Sequence, residues 1–460
     1  MPSPSLVIAR AAGRLSRGLG RGGGTSLPGK VLLRLRPGAV GDLAAALKHG
    51  TALVSATNGK TTTSRMIAGA VQEVGWRLVS NRAGANLLSG VATALLDDAR
   101  RRPASEIGLF EVDEAALPAV AADVRPRVVL LMNLFRDQLD RHGEIEALAA
   151  RWADMIAALP AETVVVANAD DPAVCALARE REGTLFFGLE DPRASLAALP
   201  HAADSKRCRR CAAALTYDRV FLGHLGHWRC PACGDARPEP QVSAISVGLD
   251  GIRGVDLEIT TPSGPVRARI GLPGVTNAYN ATAAAACAVA LGISPSCVAR
   301  ALTGARAAFG RGEWVTLGGR EVILLLAKNP TGANETIRTV LLDPGPVHLL
   351  VALNDRTADG HDVSWIWDVD VEPLLPRLTT LTLTGDRAHE LALRFRYAGL
   401  ARARMRVEPD LERALDAAIA STPPGEALSV LPTYTAMLDL RALLVRRGAA
   451  DHFWRDGAND

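Results

Sequence analysis

The stretch from Leu53 to Met66 reads LVSATNGKTTTSRM, and its interpretation decides the fold. An apolar run gives way to Gly59-Lys60-Thr61, and a helix-forming run follows. Strand, Gly-Lys-Thr turn and helix in succession are the context of a phosphate-binding loop. The helix N-terminus offers unpaired N–H groups to phosphate oxygens. Lys60 is expected between the β- and γ-phosphates, with the Thr61 hydroxyl on Mg2+. The loop is not the strict G-x-x-x-x-G-K-[ST], because Val54 stands where the first glycine belongs. The plain alternative is a turn with a helix-capping threonine. The run of hydroxyls after Gly-Lys, at the end of an apolar strand, weighs against it.

Outward from this motif, apolar runs alternate with alanine-rich helical ones. Strands are expected at 51–56, 106–112, 127–133 and 163–168, with helices such as 61–75 and 143–158 between them. This alternation indicates a doubly wound α/β domain with a mostly parallel sheet. Residues 255–272 alternate around Pro262-Ser263-Gly264 and read as a hairpin; a helix follows over 277–291. Composition shifts across "FGRGEWVTLGGR" (309–320), and new strands are expected at 321–327, 347–353 and 378–385. A chain of 460 residues, 48% hydrophobic, has ample core for two or three domains. The boundaries expected are 1–45 for a basic N-terminal segment, 46–308 for the nucleotide domain and 309–460 for a second α/β domain.

No apolar run reaches the ~18 residues that would span a bilayer. A net charge of +3 gives no argument for nucleic acid. The first 24 residues carry no acidic group and no long apolar core, which speaks against a secretory signal. Arg10, Arg14, Arg17 and Arg21 fall at helical spacing, with Ile8, Leu15 and Leu19 on another face. That pattern fits a solvated face, or a basic surface beside an anionic membrane. The expected location is the cytoplasm, with contact at the inner membrane face left open.

Two further strands end in polar residues. "FEVDE" (110–114) puts Glu111 at the C-terminal end of a parallel strand, the edge where such sheets bind ligands. Glu111 is therefore a candidate Mg2+ ligand, directly or through water. "MNLFRDQLDRHGE" (132–144) gathers Asn133, Asp137, Gln138, Asp140, Arg141 and His142 past an apolar run. Four of the seven cysteines form Cys208-x2-Cys211 and Cys230-x2-Cys233, separated by 18 residues. That spacing is a zinc-ribbon signal over 207–235. Four thiolates close a tetrahedral site, which argues for a structural rather than a catalytic zinc. His224 and His227 lie between the pairs, but neither is needed. Cys175 and Cys287 sit in helical runs and read as small buried hydrophobes.

"ATNGKTTT", "FEVDE", "NLFRDQLDRHGE" and "LPGVTNAYNATAAAA" (272–286) resemble, in this order, the Mur ligases and folylpolyglutamate synthetases. The resemblance implies a G-T-N-G-K-T-type loop, with Ala56 at a position usually held by Gly. It implies ATP binding by Thr57, Asn58, Gly59, Lys60, Thr61 and Thr62, with Asn277 and Asn280 near the base. Gln138, where many of those enzymes have His, and the absence of Lys between Lys60 and Lys206 speak against a standard two-metal site. The span before Leu53 is too short for their usual UDP-binding domain. Lys328 and Asn329, ending a later strand, are candidates for reaching the ATP phosphates when the domains close.

The ribbon, "LLLAKNPTGANETIR" (324–338), "LVALNDRTADGHDVSWIWDVD" (350–370) and "LPTYTAMLDLRALLVRRG" (431–448) resemble the MurT family, the ligase-like subunits of lipid II isoglutaminyl synthase. The fold this implies is a Mur-ligase-type P-loop central domain with an inserted zinc ribbon, plus a C-terminal Rossmann-like α/β domain. The implied reaction uses ATP, Mg2+ and a structural Zn2+ to amidate D-glutamate in the lipid II stem peptide through an acyl phosphate. Its ammonia would come from a GatD-like glutamine amidotransferase partner. The resemblance also implies an Asp lent to the partner's histidine. Asp355, directly after a strand, is expected to be the rigid choice; Asp359 and Asp362, in a Gly-containing turn, are expected to be looser. Trp365 and Trp367 are expected to share one face of an extended segment. Two other readings compete: a stand-alone folylpolyglutamate-synthetase-like amino acid ligase, and a nucleotide-switched ribbon protein binding nucleic acid. The second lacks a basic–aromatic surface.

Overall fold

A computed structural model describes residues 6, 8, 9, 11, 26–81, 85–136, 145–200, 203–307 and 310–450. The expectations for Arg10, Arg14, Arg17, Arg21, Asp137, Gln138, Asp140, Arg141 and His142 lie outside these residues. Among the described residues before residue 300 are eleven strands: β1 (Thr51–Ser55), β2 (Leu78–Ser80), β3 (Ile107–Glu111), β4 (Val128–Leu131), β5 (Val164–Asn168), β6 (Leu185–Leu189), β7 (Thr216–Leu222), β8 (Leu225–Arg229), β9 (Val242–Asp250), β10 (Gly254–Thr260) and β11 (Val266–Ile270). All but β7 and β8 form one sheet, ordered β11-β10-β9-β6-β5-β4-β1-β3-β2. From β2 to β9 it is parallel. The last two strands turn antiparallel, as the expected hairpin.

The sheet is covered on both faces, which is why its central strands are apolar throughout. β1 and β4 are wholly buried. Successive β1 residues serve opposite cores: Ala52 and Val54 join one, Leu53 the other. The first core takes α3 (Lys60–Glu73), α8 (Val275–Ala290) and α9 (Pro295–Thr303). The second takes α2 (Ala39–Ala45), α4 (Leu88–Asp98), α5 (Leu117–Val124), α6 (Ile145–Ala158) and α7 (Pro172–Ala178). Helix α1 (Leu27–Leu35) packs on α4, where Gly29 N–H donates to Thr93 Oγ1 at 2.9 Å. Alanines fill α8, and their small side chains let it lie close on the sheet; Ala281 and Ala283 to Ala286 are all buried.

The second sheet is β12 (Arg311–Leu317), β13 (Arg320–Leu325), β14 (Val347–Ala352), β15 (Leu378–Thr384), β16 (Arg406–Val407) and β17 (Ala427–Pro432), ordered β12-β13-β17-β14-β15-β16. Only β12 is antiparallel to its neighbour. Helices α10 (Pro330–Leu342) and α11 (Ala388–Tyr397) cover one face, and α12 (Leu411–Ser421) and α13 (Tyr434–Arg446) the other.

Two expectations are corrected. Trp365 and Trp367 are not extended: residues 364–368 form a 3-10 turn, started by Asp362 accepting the Ser364 N–H at 2.8 Å. Trp365 is half-buried, while Trp367 is exposed and meets Tyr397 edge-on. Asp359 is not loose. It is buried, and its carboxylate takes the Thr435 N–H at 2.8 Å and the Thr435 hydroxyl at the start of α13. Asp362 is exposed, as expected of a turn residue.

The β7–β8 hairpin is seated on the large sheet by Asp170, which is fully buried. Its carboxylate receives Arg237 at 2.5 Å, Tyr279 Oη at 2.7 Å and the Leu189 N–H at 2.9 Å, and its carbonyl receives the Gly226 N–H. Removing one partner of a buried ion pair leaves an uncompensated charge and costs about 3–5 kcal/mol. Arg237→Ala is therefore expected to lower unfolding free energy by about 3 kcal/mol, read from the urea midpoint at unchanged slope.

Candidate functional site

The chain turns sharply after β1, and this turn builds the site. Gly59 is left-handed, with φ of 94°, whereas Ala56 is not among the positive-φ residues. The missing glycines at 54 and 56 are therefore not needed: the loop asks for left-handed backbone only where it has Gly59. A β-carbon at Gly59 would also stand 2.1 Å from Asn280 Oδ1. The loop is held from behind by the segment after β4. Asn58 N–H donates to Asn133 Oδ1 at 2.9 Å, and Asn133 Nδ2 returns a bond to the Asn58 carbonyl at 3.0 Å. Phe135 N–H donates to Thr57 Oγ1 at 3.0 Å.

Helix α3 starts at Lys60, so its first N–H groups face the turn. Lys60 Nζ donates to the Ala56 carbonyl and pairs with Glu114 at 2.7 Å. Both side chains of the pair are nearly buried. Thr61 Oγ1 donates to Glu111 Oε1 at 3.0 Å. Neighbouring oxygens on an Mg2+ octahedron with bonds of ~2.1 Å stand about 3.0 Å apart. The spacing of Thr61 and Glu111 is thus that of two neighbouring ligands on one Mg2+.

The opposite wall comes from the second sheet. Thr57 to Thr62, Glu111, Asn277, Asn280 and Lys328 all line one cleft. The same cleft takes in Arg311, Thr331 and Glu335. Asn280 Nδ2 donates to Asn277 Oδ1 at 3.0 Å. Asn329, which caps α10, exchanges amide hydrogen bonds with Asn58 at 3.1 and 3.3 Å. Glu335 Oε1 accepts the Val275 N–H at 2.8 Å, satisfying the start of α8 from the other sheet. Burial pushes the Glu335 carboxyl up, against the pull of Arg338 and of the Val275 and Thr276 N–H groups. Burial draws the Arg311 guanidinium down from its ordinary range, with Glu111 opposing.

The sequence reading missed three of these groups. Glu114 lies three residues after Glu111, in a segment already singled out. Arg311 stands between Gly310 and Gly312, both left-handed, a signal that the backbone bends to aim the residue between them. Glu335 gives no signal in sequence, because its partner is a backbone N–H sixty positions away.

Asp355 lies outside the cleft, in the loop after β14. Its carboxylate pairs with Arg387 at 2.7 Å, and His361 Nδ1 meets its carbonyl at 2.7 Å. The four cysteines form a separate cluster whose Sγ atoms lie within 4.8 Å of one another. Cys208–Cys233 are 3.6 Å apart and Cys211–Cys230 3.4 Å, far beyond a disulfide. Four sulfurs at ~2.3 Å from zinc would be about 3.8 Å apart on a tetrahedron. The residues therefore fit a tetrahedral metal. N–H groups of Cys233 and Ala232 draw the Cys230 thiol down to about 7, while its hydrogen bond to Cys211 pushes that thiol up and burial pushes Cys208 up. His224 and His227 point elsewhere: His227 meets the Leu189 carbonyl at 2.9 Å and His224 lies at the far tip of the hairpin.

Among the described residues, no helix is long and apolar enough to cross a membrane. The family model "Mur ligase middle domain" matches residues 54–216, and "MurT ligase C-terminal" matches 326–437. The chain is 32% identical to the lipid II isoglutaminyl synthase (glutamine-hydrolyzing) subunit MurT of Streptococcus pneumoniae (strain ATCC BAA-255 / R6), over 96% of each chain. It is 30% identical to the corresponding subunit of Staphylococcus aureus (strain N315), over 96% of this chain and 97% of that one. A pseudomurein peptide ligase type C from Methanothermus fervidus superposes with a TM-score of 0.70 at 20% identity, covering 88% of this chain and 80% of that one.

Metal content checks the cysteine geometry. The purified chain is expected to carry one zinc per molecule by elemental analysis, and Cys211→Ser to carry less than a third of that. Full zinc in the variant would remove Cys211 from the ligand set.

Proposed function

The chain belongs to the MurT family of Mur-type ligases, and on that premise we propose that it is the ATP-dependent subunit that amidates the D-glutamate α-carboxylate of the lipid II stem peptide. The observation that carries the reading is the convergence of Lys60, Thr61, Glu111, Arg311 and Lys328 on one cleft between two sheets. Opposite-sheet cations around a phosphate loop suit transfer of a phosphoryl group to an acceptor held between them.

In this reading Gly59, Lys60 and the N–H groups opening α3 hold the β- and γ-phosphates. Thr61 and Glu111 would hold Mg2+, which when bound would supply positive charge to the phosphates. Thr57, Asn58 and Thr62 shape the loop around them, and Asn277 and Asn280 lie toward the base. Nucleotide entry exchanges the Lys60–Glu114 pair for a phosphate contact, which leaves Glu114 free to accept a proton or orient the acceptor. The substrate carboxylate attacks the γ-phosphorus, giving an acyl phosphate and ADP. Lys328 and Arg311 balance the charge gathering on the transferring oxygens. Ammonia then attacks the acyl carbon; phosphate leaves and D-isoglutamine remains. Acyl phosphates hydrolyse in water, so closure of the second sheet over the first protects the intermediate.

The domain division at 46–308 and 309–460, with the ribbon at 207–235 holding a structural zinc, belongs to the same proposal. So does a glutamine amidotransferase partner of the GatD kind, since ammonia near neutral pH is mostly protonated. Asp355 remains our choice for orienting the partner's histidine: one carboxylate oxygen is held by Arg387, and the side chain is about one quarter exposed. Asp359 is committed to Thr435.

With ATP, Mg2+, lipid II and ammonium at mildly alkaline pH, the chain alone should yield a product lighter by about one mass unit, the exchange of OH for NH2. Glutamine should serve only when the partner is added. Product from glutamate instead, and none from ammonium, would replace this reading with an amino acid ligase. Asp355→Asn should cut glutamine-dependent amidation at least a hundredfold while leaving ammonium-dependent amidation within threefold. Equal loss from both nitrogen sources would place Asp355 in the ligase chemistry instead.

A further inference from the structure

The turn joining β7 to β8, Leu222-Gly223-His224, lies at the opposite end of the hairpin from the cysteines. Seven residues of β7 separate them by roughly 20 Å. The turn is wedged between the two sheets. Leu222 lines the nucleotide cleft. Gly223 is left-handed, with φ of 57°, and a β-carbon there would stand 2.9 Å from the Phe135 ring and 3.1 Å from Thr331 Cγ2. His224 is fully buried. Its ring packs on Phe135 at 4.8 Å between centroids, and its Nε2 lies 3.4 Å from Asp171 Oδ2.

Phe135 is the residue whose main chain grips Thr57. Its N–H donates to Thr57 Oγ1, and that hydroxyl donates back to the Phe135 carbonyl at 3.3 Å. Asp171 Oδ2, beside His224, also accepts the Leu134 N–H at 2.9 Å. The hairpin tip therefore presses on the segment that shapes the phosphate loop. On its other side Thr331 opens α10, whose cap Asn329 is bonded to Asn58. Arg338 of α10 reaches back to the Phe221 carbonyl at 2.6 Å.

We propose that Gly223 and His224 are positioning residues for the nucleotide loop, and that the metal-binding cysteines act on nucleotide affinity through the hairpin that joins them. The inference rests on the cleft being the ATP site. The hairpin is a strut: its cysteine end would be fixed by a bound metal, Asp170 holds β8 at Gly226 just behind the tip, and the tip sets where Phe135 and Thr57 stand.

The test measures binding of a fluorescent ADP analogue with Mg2+ to the full, metal-loaded chain, without acceptor or nitrogen donor. Failure of the amidation reading would leave this measurement unaffected. His224→Ala and Gly223→Ala are expected to raise the dissociation constant about tenfold and the KM for ATP in parallel, with kcat within threefold. His224→Phe keeps a ring against Phe135 and should bind within twofold of the parent. Leu415→Ala, in the core under α12, supplies a matched loss of Tm and should leave nucleotide affinity unchanged. Cys211→Ser should weaken binding as the tip variants do, and adding His224→Ala to it should weaken binding little further, because both act along one path. If Cys211→Ser is not recovered folded, chelator treatment of the parent replaces it. Parent-like binding by both tip variants, or equal weakening by Leu415→Ala, would overturn the proposal. Parent-like binding after loss of the metal would overturn its long-range half.

Discussion

Two adjacent carboxylates, Asp170 and Asp171, follow β5 and are wholly withdrawn from water. A buried charge is tolerable only when paired and fully hydrogen-bonded, and the rest of the first sheet is arranged around meeting that demand. Asp170 draws in Arg237 from beyond the ribbon, Tyr279 from α8 and the Leu189 N–H from β6. Asp171 caps α7 through the Ala173 and Val174 N–H groups, takes the Leu134 N–H, and faces His224. One pair of residues thus fixes the ribbon, the helix behind the nucleotide loop and the segment beneath it. Apolar packing alone would hold these elements near one another. The carboxylates decide their register, because each partner has one geometry in which it satisfies an oxygen.

The phosphate loop shows a related economy. Its backbone needs a left-handed residue at Gly59 alone, so Val54 and Ala56 serve as buried apolar residues at the top of β1. Lys60 is held by Glu114 and the Ala56 carbonyl. A lysine held straight by a carboxylate loses less rotamer freedom when it turns to a phosphate. The cations facing it, Arg311 and Lys328, come from the second sheet, while Glu111 and Glu114 come from the loop's own sheet. Glu335 of α10 adds a carboxylate from the far side, so each wall brings charges that the other needs.

Much of this was legible in the sequence because it is local. β1, the Gly-Lys turn and α3 are contiguous, and each carries its own periodicity. The cysteine spacing encodes its cluster for the same reason. The residues implied for nucleotide binding meet in one cleft, since each sits at a strand end or helix start that the pattern of apolar runs locates. What was not legible depends on partners distant in the chain. Asp359 reads as a loose turn residue until Thr435, 76 positions on, is seen to receive it. Trp365 and Trp367 alternate like a strand, but one hydrogen bond from the Ser364 N–H to Asp362 starts a turn there. β17 (Ala427–Pro432), which was not among the strands expected from sequence, sits in the middle of its sheet and ends in a proline. Its C-terminal position in the strand makes the proline harmless.

The amide pair between Asn58 and Asn329 spans 271 positions, and this separation has a consequence for the order of folding. Contacts between residues far apart in sequence carry a larger loop-closure cost and form after the local ones. Each sheet can collapse on its own helices first, since its core is built from contiguous chain. The cleft between them is then the last surface to be made and the first to part in a native-state fluctuation. Its closing contacts join the neutral Asn58–Asn329 amides to charged groups, the Arg136–Asp368 ion pair at 3.4 Å and the Glu335 carboxylate on the Val275 N–H, so ionic strength acts on the second kind and little on the first. The molecule's newest contact at every folding event is also the one that its substrates must cross.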